Sequence, residues 1–342
     1  MNERLLGRQG LSSSAIGYRT ARISVSHGPT DERDHIDAIH RAYDLGITHI
    51  DTADRYDWGE NERIVGRAVK SFRDDIAIAT KFGFTAPDLG FDCRPVHIRQ
   101  ALESSLRNIG VDYIDIFYQY GVDPNVPIEE VAGTVKELID AGKVKYFGLS
   151  QADEYAVRRA HVVQPVSVVQ AEYSVFQQDV ACLFPTLREL GIGFVAHQPF
   201  EPAFLQSDIR RIADLGEVYD LSRYSRKLKS QRSIVRLAGL AASLGTTPMQ
   251  LALLWVLQQG DDIVPVLGSR TEGHLQEIVG AADLDLSPNE LKQVGRLIRS
   301  AGDQRISRRQ YCLPGMKNAW EHDADPGNAR ASQRSRWPRC RP

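Results

Sequence analysis

Short apolar and β-branched runs alternate along the chain with longer amphipathic stretches. This alternation is typical of repeated βαβ units, in which parallel strands are joined by helical crossovers. The runs that fit the strand pattern are Ile16–Ile23, His49–Ala53, Ile76–Phe82, Tyr113–Gln119, Tyr146–Ser150, Val166–Ala171, Gly193–Ala196 and Ile263–Leu267. The amphipathic stretches are Asp34–Leu45, Asn61–Phe72, Val96–Asn108, Ile128–Ala141, Tyr155–Val162, Val180–Leu190, Met249–Leu257 and Leu275–Ala282. Eight strands and eight helices predict a fold of the α/β class, a (β/α)8 or TIM barrel.

Three segments lie outside this eightfold count. The stretch LLGRQGLSSSAIG has glycines and an alternating pattern that predict a small N-terminal hairpin across the barrel floor. A long polar insertion, Phe204–Arg232, precedes an additional helix at Ser233–Leu244, and long loops of this kind cover active sites in barrels. The periodicity ends near Gly302, so residues 1–302 are predicted as the barrel domain and 303–342 as an irregular, disordered C-terminal tail.

The charge balance narrows the class of partner. The chain has 42 Lys and Arg residues against 44 Asp and Glu residues, and this balance provides no basic surface for nucleic acid or anionic lipid. We therefore expect a small-molecule substrate and neither a nucleic-acid nor a membrane partner, with the oligomeric state left open. No apolar run reaches the roughly 20 residues of a spanning helix, and the polar start MNERLLGRQG lacks a secretory signal, so a cytoplasmic location is expected.

The four cysteines, Cys93, Cys182, Cys312 and Cys340, are widely spaced and form no CxxC pair. Such spacing supports neither a zinc cluster nor a disulfide framework. We therefore predict reduced thiols with structural roles, and no metal site.

Polar residues at the ends of two predicted strands carry the candidate chemistry. The second strand continues as HIDTADRYDWGENE, which places Asp51 at the strand end and Tyr56 in the following loop, and the third ends as AIATKFG with Lys81. The carboxyl ends of barrel strands share one rim, so these groups are expected to meet there. A Lys cation makes a phenol easier to ionise, and a carboxylate fixes that cation. A purely structural Lys–Asp pair is the alternative, and spacing alone favours it.

The same segments carry a resemblance to a known family. GITHIDTADRYDWGENERIVGRAV, followed by IATKFG, resembles the signature region of the aldo-keto reductases. The motifs DYIDIFYQYGVDPNVPIEEV, AGKVKYFGLS, VVQAEYSVF, GIGFVAHQP and IVPVLGSRTEGHLQEIVGAA follow in the family's order, from about Leu5 to about Ala301. The resemblance implies that a carbonyl is reduced by hydride from C4 of NADPH. It also implies that Tyr56 protonates the developing alkoxide, that Lys81 perturbs the pKa of Tyr56, and that Asp51 holds Lys81.

The resemblance assigns a second set of positions to NADPH. Two of them, Ser150 and Gln170, lie where the family binds the nicotinamide carboxamide, and Gln151 lies beside them. His197 lies where a tyrosine commonly stacks on the nicotinamide ring. Five more match positions that face the adenosine phosphate or the adenine: Gly268, Ser269, Arg270, His274 and Glu277. Arg270 would favour NADPH over NADH, because a guanidinium suits the additional phosphate.

The chain also departs from the family's pattern. In YQYG, Tyr120 replaces the fourth member of the usual catalytic set, a histidine. A phenol donates a hydrogen bond but does not titrate near neutral pH as imidazole does. In IGYRTARI, Tyr18 and Arg19 occupy a rim that relatives keep small, which reduces the room for substrate. In QPFEPAFL, Glu201 introduces a carboxylate near the expected pyrophosphate and would repel it.

These observations leave three functional hypotheses. The first is an NADPH-dependent oxidoreductase that reduces a carbonyl, or an activated C=C bond, of a specialised small molecule. The second is a regulatory or scaffold protein that binds the cofactor with little turnover, which Tyr120, His197 and the FEPAF loop would explain. The third is a lyase or isomerase that uses Tyr56 and Lys81 for proton transfer without a nicotinamide.

Overall fold

The structure is a computed structural model that describes residues 1–23, 32–86, 90–199, 227–269 and 271–301, together with Tyr311. Residues 200–226 lie outside the described residues, and they include most of the predicted insertion, Phe204–Arg232. The predicted tail, 303–342, lies outside them as well, apart from Tyr311. Expectations for these segments remain predictions.

A closed barrel of eight strands forms the centre of the fold. The described residues form β1 (Glu3–Leu5), β2 (Ser12–Ser14), β3 (Gly17–Arg19), β4 (His49–Asp51), β5 (Ala77–Phe82), β6 (Phe84–Ala86), β7 (Gly90–Phe91), β8 (Ile114–Gln119), β9 (Val144–Ser150), β10 (Val166–Glu172), β11 (Gly193–His197) and β12 (Ile263–Leu267). Strands β3, β4, β5 and β8 to β12 pair in parallel in chain order, and β12 pairs with β3 to close the barrel. The predicted (β/α)8 fold is confirmed. Each predicted strand is present, but the first, predicted as Ile16–Ile23, ends at Arg19 and is followed by a 3-10 turn, Thr20–Ile23.

Helices follow the barrel strands. The described helices are α1 (Glu32–Asp44), α2 (Glu60–Val69), α3 (Pro95–Ile109), α4 (Ile128–Asp140), α5 (Glu154–Val163), α6 (Phe184–Leu190), α7 (Lys227–Ser243), α8 (Pro248–Leu257), α9 (Glu272–Gly280) and α10 (Pro288–Ala301). The predicted helix Val180–Leu190 divides into a 3-10 turn, Asp179–Leu183, and α6. Pro185 explains this division, because it has no N–H to continue a helix but suits the first turn of a new one. Helix α10 was not predicted.

The N-terminal hairpin closes the barrel floor, as predicted. Strands β1 and β2 pair in antiparallel fashion, and the loop between them places Leu6 and Leu11, both fully buried, among the inward-facing side chains of the barrel. Arg4 fixes the hairpin from Nη1, which donates to the backbone oxygens of Gly260 (2.8 Å) and Ile263 (2.7 Å). The opposite end of the barrel, where the strands have their carboxyl ends, is therefore left for ligands.

Helix α8 is apolar at every position except Gln250, as expected of a helix buried in the core. It packs against β12 and α7, and its buried residues include Met249, Leu253 and Val256. No single described helix is long and apolar enough to span a membrane. The segments Val235–Ser243 and Pro248–Leu257 reach such a length and apolar composition only when they are counted together, and they are bent by 90° relative to each other.

The described cysteines correct one expectation. Cys93 is free and buried, in agreement with the predicted structural thiols. Cys182 is disulfide-bonded, so the prediction of a reduced thiol was wrong at this position. Its partner is not among the described residues.

Candidate active site

A buried ion pair lies at the carboxyl end of the barrel. Asp51 ends β4, Lys81 is near the end of β5, and the pairing of Asp51 with Ala79 brings both side chains to the same rim. Lys81 Nζ is 2.7 Å from Asp51 Oδ1 and donates to the backbone oxygen of Thr52 over 2.8 Å. The side chains are 2% and 0% exposed. Burial alone would raise the pKa of the Asp51 carboxyl, but Lys81 and Arg19 lower it below its ordinary value. The carboxylate is therefore charged at neutral pH.

The loop that carries Tyr56 is strained and firmly anchored. It forms a 3-10 turn, Tyr56–Gly59, in which Asp57 and Trp58 have left-handed φ angles of 47° and 52°. Such non-glycine conformations persist where the surroundings impose them, and they cluster at functional sites. Asn61 in α2 donates from Nδ2 to the backbone oxygen of Thr20 over 3.0 Å. This bond ties the first turn of α2 to the chain that follows β3, and so fixes the position of the loop.

The Tyr56 hydroxyl contacts a cation other than the one expected. It accepts a hydrogen bond from Arg19 Nε over 3.1 Å, whereas Lys81 Nζ lies 5.7 Å from the centre of the tyrosine ring. Burial raises the pKa of the Tyr56 phenol, and the charge of Arg19 opposes that effect. Lys81 is near enough to act through its charge, but in the described part of the chain it makes no hydrogen bond to this phenol.

Aromatic side chains line the rim beside Tyr56. Tyr120 follows β8 and is 8% exposed, and its ring centre is 5.8 Å from that of Phe84 in β6. The guanidinium carbon of Arg55 lies 4.5 Å from the Phe84 ring centre and 4.8 Å from the Tyr120 ring centre. Burial raises the pKa of Tyr120 to about 12. Tyr120 therefore remains a protonated phenol at neutral pH and can act as a hydrogen-bond donor.

Two more strand ends place uncharged polar groups at the same mouth. Ser150 ends β9 and pairs in register with Gln170 of β10. Gln170 donates from Nε2 to Asp51 Oδ2 over 2.7 Å. Ser150 and Gln170 are only 4% and 2% exposed. Within the part of the chain that the structure describes, the Ser150 hydroxyl and Gln170 Oε1 have no hydrogen-bond partner.

Hydrogen bonds hold His197 in one orientation. The side-chain nitrogen Nε2 of Gln151 is 2.6 Å from His197 Nε2, and the Tyr311 hydroxyl donates to Gln151 Oε1 over 2.5 Å. Because an amide nitrogen donates, His197 Nε2 accepts this bond, and His197 Nδ1 is buried without a hydrogen-bond partner among the described residues. Burial lowers the pKa of His197 to about 3. The ring is therefore neutral and is held by Gln151, and the predicted cofactor contact of Gln151 stays a prediction.

The structure describes four of the five positions that were predicted to face the adenosine phosphate or the adenine. Gly268 and Ser269 follow β12 directly, and the Tyr18 hydroxyl donates to the Ser269 backbone oxygen over 2.8 Å. Tyr18 is fully buried in the core and does not narrow the substrate space, contrary to the sequence-based expectation. Ser269 Oγ accepts from the backbone N–H of Thr271, at the start of α9, over 3.2 Å. Arg270 lies outside the described residues.

The last two predicted positions lie on α9. His274 is half-buried there. The Glu277 carboxylate accepts a hydrogen bond from the hydroxyl of Thr247, and Gln250 Nε2 donates to the Glu277 backbone oxygen over 3.1 Å. Thr247 is the N-cap of α8, so Glu277 joins two helices. One oxygen of the Glu277 carboxylate therefore has a protein partner, and the predicted contact of Glu277 with the adenine stays a prediction.

Comparison with known proteins decides the family. The chain matches the sequence pattern of the Aldo/keto reductase family over residues 15–299, which is most of its length. The chain belongs to the aldo-keto reductase family. Members of this family are NADP-dependent oxidoreductases, and NADP(H) is the cofactor of this aldo-keto reductase.

Individual relatives agree with this assignment. The probable aldo-keto reductase 1 of Glycine max is 38% identical over 299 residues, which cover 84% of this chain and 86% of that protein. The holo form of aldo-keto reductase AKR11C1 from Bacillus halodurans superposes with a TM-score of 0.73 at 26% identity, covering 90% of this chain and 99% of that one. An aldo-keto reductase from Klebsiella pneumoniae, solved with NADPH, is similar in fold, with a TM-score of 0.69, 22% identity, and coverage of 90% and 98%.

The mouth of this aldo-keto reductase fits the nicotinamide end of the cofactor. A carboxamide offers an oxygen that accepts and an NH2 group that donates. The Ser150 hydroxyl can donate and Gln170 Oε1 can accept, and both lack a partner among the described residues. Neutral His197 offers an uncharged flat ring close by. The residues present are therefore complementary to the group that the family binds.

Sequence reasoning missed two residues of this aldo-keto reductase's site. Arg19 was noted only as an obstruction of the rim, although an arginine at a strand end in a barrel also signals a cation directed to the mouth. Tyr311 was assigned to a disordered tail, yet it is 4% exposed and hydrogen-bonded to Gln151. No local pattern predicted that contact, because it joins residues 160 positions apart.

Proposed function

We propose that this aldo-keto reductase reduces the carbonyl group of a small molecule, and that Tyr56 donates the proton to the developing alkoxide. The observation that carries the proposal is the hydrogen bond from Arg19 Nε to the Tyr56 hydroxyl oxygen, 3.1 Å long, beside the Lys81–Asp51 ion pair. Because the phenol oxygen accepts this bond, its own O–H remains available to donate. A buried acid next to fixed cations is suited to supply a proton where negative charge grows.

The proposed roles of the other side chains follow from their positions. When bound, NADPH supplies the hydride from C4 of its nicotinamide. Ser150 and Gln170 orient the carboxamide, and His197 packs against the nicotinamide ring. Gly268, Ser269, Arg270 and His274 face the adenosine phosphate. The protonated hydroxyl of Tyr120 takes over the orienting hydrogen bond to the substrate carbonyl that a histidine makes in relatives.

The substrate side of the mouth favours a flat or aromatic carbonyl compound. Tyr56, Phe84, Phe91 and Tyr120 belong to one cluster at this rim, and Arg55 lies over two of its rings. Aromatic walls stabilise flat unsaturated groups through offset or edge-to-face packing. An enone would fit the same surface, so reduction of an activated C=C bond is part of the proposal.

A panel assay with a matched pair of tyrosine variants tests this function. Purified protein is incubated with NADPH and aldehydes, ketones and enones, including bulky ones, and cofactor oxidation is followed. Tyr56→Phe should lower kcat/KM by roughly 10²- to 10⁴-fold, as expected for loss of a general acid, while NADPH binding is preserved. Tyr146→Phe is the control, because that hydroxyl is bonded to Gly10 at the barrel floor.

The same assay separates the alternatives. NADPH binding without turnover on any compound would favour the regulatory or scaffold protein. Substrate conversion that is independent of added nicotinamide would favour the lyase or isomerase. Full activity of Tyr56→Phe would remove Tyr56 from the role of proton donor, whichever substrate is found.

A fluorescence titration tests the cofactor end separately. Arg270→Ala should weaken NADPH binding about tenfold, or roughly 1.4 kcal/mol, and leave NADH binding unchanged. The reason is that only NADPH carries the additional phosphate that a guanidinium would bind. Equal weakening for both cofactors, or none for either, would contradict the role of Arg270.

A further inference from the structure

We propose that Arg19 is a catalytic residue of this aldo-keto reductase, the cation that stabilises the Tyr56 phenolate after proton transfer. The family resemblance gives this task to Lys81. The inference rests on the proposed role of Tyr56 as proton donor, and it assigns a function to a residue at which the chain departs from its relatives.

The position of Arg19 is fixed by the barrel. Arg19 ends β3 and pairs in register with Asp51 of β4, so its side chain reaches the mouth beside Tyr56. Nε is 3.1 Å from the phenol oxygen, and the guanidinium carbon is 5.7 Å from the ring centre. In the described part of the chain no carboxylate lies within ion-pair distance of this guanidinium. Its positive charge is therefore not neutralised by a direct partner and acts on the phenol.

Lys81 is placed differently. Its ammonium donates to Asp51 Oδ1 and to the backbone oxygen of Thr52, over 2.7 and 2.8 Å. The Asp51 charge raises the pKa of Tyr56 and so opposes the field of Lys81 at the phenol. At the Tyr56 phenol, the opposite charges of Lys81 and Asp51 partly cancel. The charge of Arg19 is not cancelled in this way. Arg55 also lowers the pKa of the Tyr56 phenol, but Arg19, which donates directly to the phenol oxygen, lowers it more.

The chemistry is balanced without any further reactant. As hydride adds to the carbonyl carbon, the electron pair of the C=O π bond moves to oxygen, and that oxygen takes the Tyr56 proton. The electrons of the broken O–H bond stay on the phenol oxygen as a phenolate, toward which Arg19 Nε–H already donates. Solvent returns the proton after the product leaves. Arginine suits this task because it remains charged throughout the working pH range.

The direct test is the titration of Tyr56 in the protein without cofactor or substrate. Tyrosinate absorbance is measured against pH for each protein and for its Tyr56→Phe counterpart, and the difference reports Tyr56 alone. Arg19→Gln should raise the midpoint by about one pH unit or more, the size expected for loss of an adjacent opposite charge. Arg19→Lys, which retains the charge, should recover part of the shift. Arg99→Gln, an exposed arginine paired with Glu137, is the matched control and should leave the midpoint unchanged.

Removal of the Lys81–Asp51 ion pair shows whether this pair or Arg19 has the larger effect on the Tyr56 midpoint. The double change Lys81→Met with Asp51→Asn removes both charges together and should move the Tyr56 midpoint less than Arg19→Gln does. The reverse order would overturn the proposal and return the task to Lys81. Weaker NADPH binding in Arg19→Gln with an unchanged Tyr56 midpoint would also overturn it, because Arg19 would then be a cofactor-binding residue.

A second measurement needs no charge-removing variant. In the unaltered protein, the NMR signal of Arg19 Nε–H, assigned by its loss in Arg19→Lys, should shift with the same midpoint as Tyr56 absorbance. Independence of the two titrations would contradict the hydrogen bond. Neither readout requires turnover, so failure of the proposed reductase activity is distinguishable from failure of this inference.

Discussion

Gln170 donates its side-chain amide to Asp51, with Nε2 and Oδ2 separated by 2.7 Å. The other oxygen of Asp51 is occupied by Lys81, so one buried carboxylate holds two side chains from opposite parts of the barrel. Gln170 is also a proposed carboxamide partner. Asp51 therefore links the cofactor end of the site to the proton-donor end, and a change at Asp51 should affect both.

Replacement of Asp51 tests this link. Asp51→Asn leaves the Lys81 ammonium buried without its counter-charge, a situation that destabilises a fold by about 3–5 kcal/mol. We expect a lower free energy of unfolding in urea, together with weaker NADPH binding because Gln170 loses its acceptor. Asp140→Asn, at an exposed position at the end of α4, is the control. Unchanged stability with unchanged NADPH binding would show that the carboxylate does not organise the site.

Tyr120 offers a prediction on pH dependence. Tyr120→Phe keeps the ring against Arg55 but removes the hydroxyl, and should lower kcat/KM about tenfold, the effect of one lost hydrogen bond to the substrate. Tyr120→His introduces a group that titrates near neutrality and should add a limb to the pH profile between pH 5 and 8. Steady-state kinetics over this range give both results. If Tyr120→Phe is fully active, the phenol serves only as part of the wall.

Asp54 gives a stability prediction with a definite sign. Burial, aided by the charge of Glu62, raises the pKa of the Asp54 carboxyl from 3.8 to about 7. Between these values the folded protein keeps a proton that the unfolded chain has released, so stability falls as pH rises from about 4 to 7 and stays low above that range. Asp54→Asn should therefore stabilise the protein by up to about 4 kcal/mol at pH 8 and little at pH 4. Thermal unfolding at both pH values is the measurement, and equal effects would contradict the shift.

Gly66 in α2 and Gly133 in α4 form a matched pair that tests how closely α2 packs against α3. A Cβ on Gly66 would lie 1.9 Å from the backbone oxygen of Ile109 at the end of α3, so Gly66→Ala forces the helices apart. We expect a loss of about 3 kcal/mol or more, as for strong overpacking. A Cβ on Gly133 in α4 meets nothing within 4 Å, and Gly133→Ala should stabilise by about 0.5–1 kcal/mol. Urea unfolding distinguishes them, and similar effects of both changes would refute the packing argument.

Prediction from sequence succeeded best where the signal was local. Strands and helices were located because their hydrophobic periods are short and repeat along the chain. The helix boundary near Pro185 was missed because the prediction followed the hydrophobic period alone and did not use the proline, which has no N–H to continue a helix. Helix α10 was missed although its pattern is amphipathic. For the site, Asp51 and Lys81 could be expected to meet because parallel strand ends share a rim.

The sequence by itself determined the alternating α/β order, the closed barrel that follows from eight such units, and the polar residues at the strand ends. The tertiary structure decided which of these side chains bind each other. Arg19 reaches Tyr56 across 37 positions, Tyr311 reaches Gln151 across 160, and Thr247 donates to the Glu277 carboxylate. Such contacts depend on strand register and on the direction of each side chain. Neither leaves a periodic signal, so the partner of the Tyr56 phenol became apparent only when the barrel was closed.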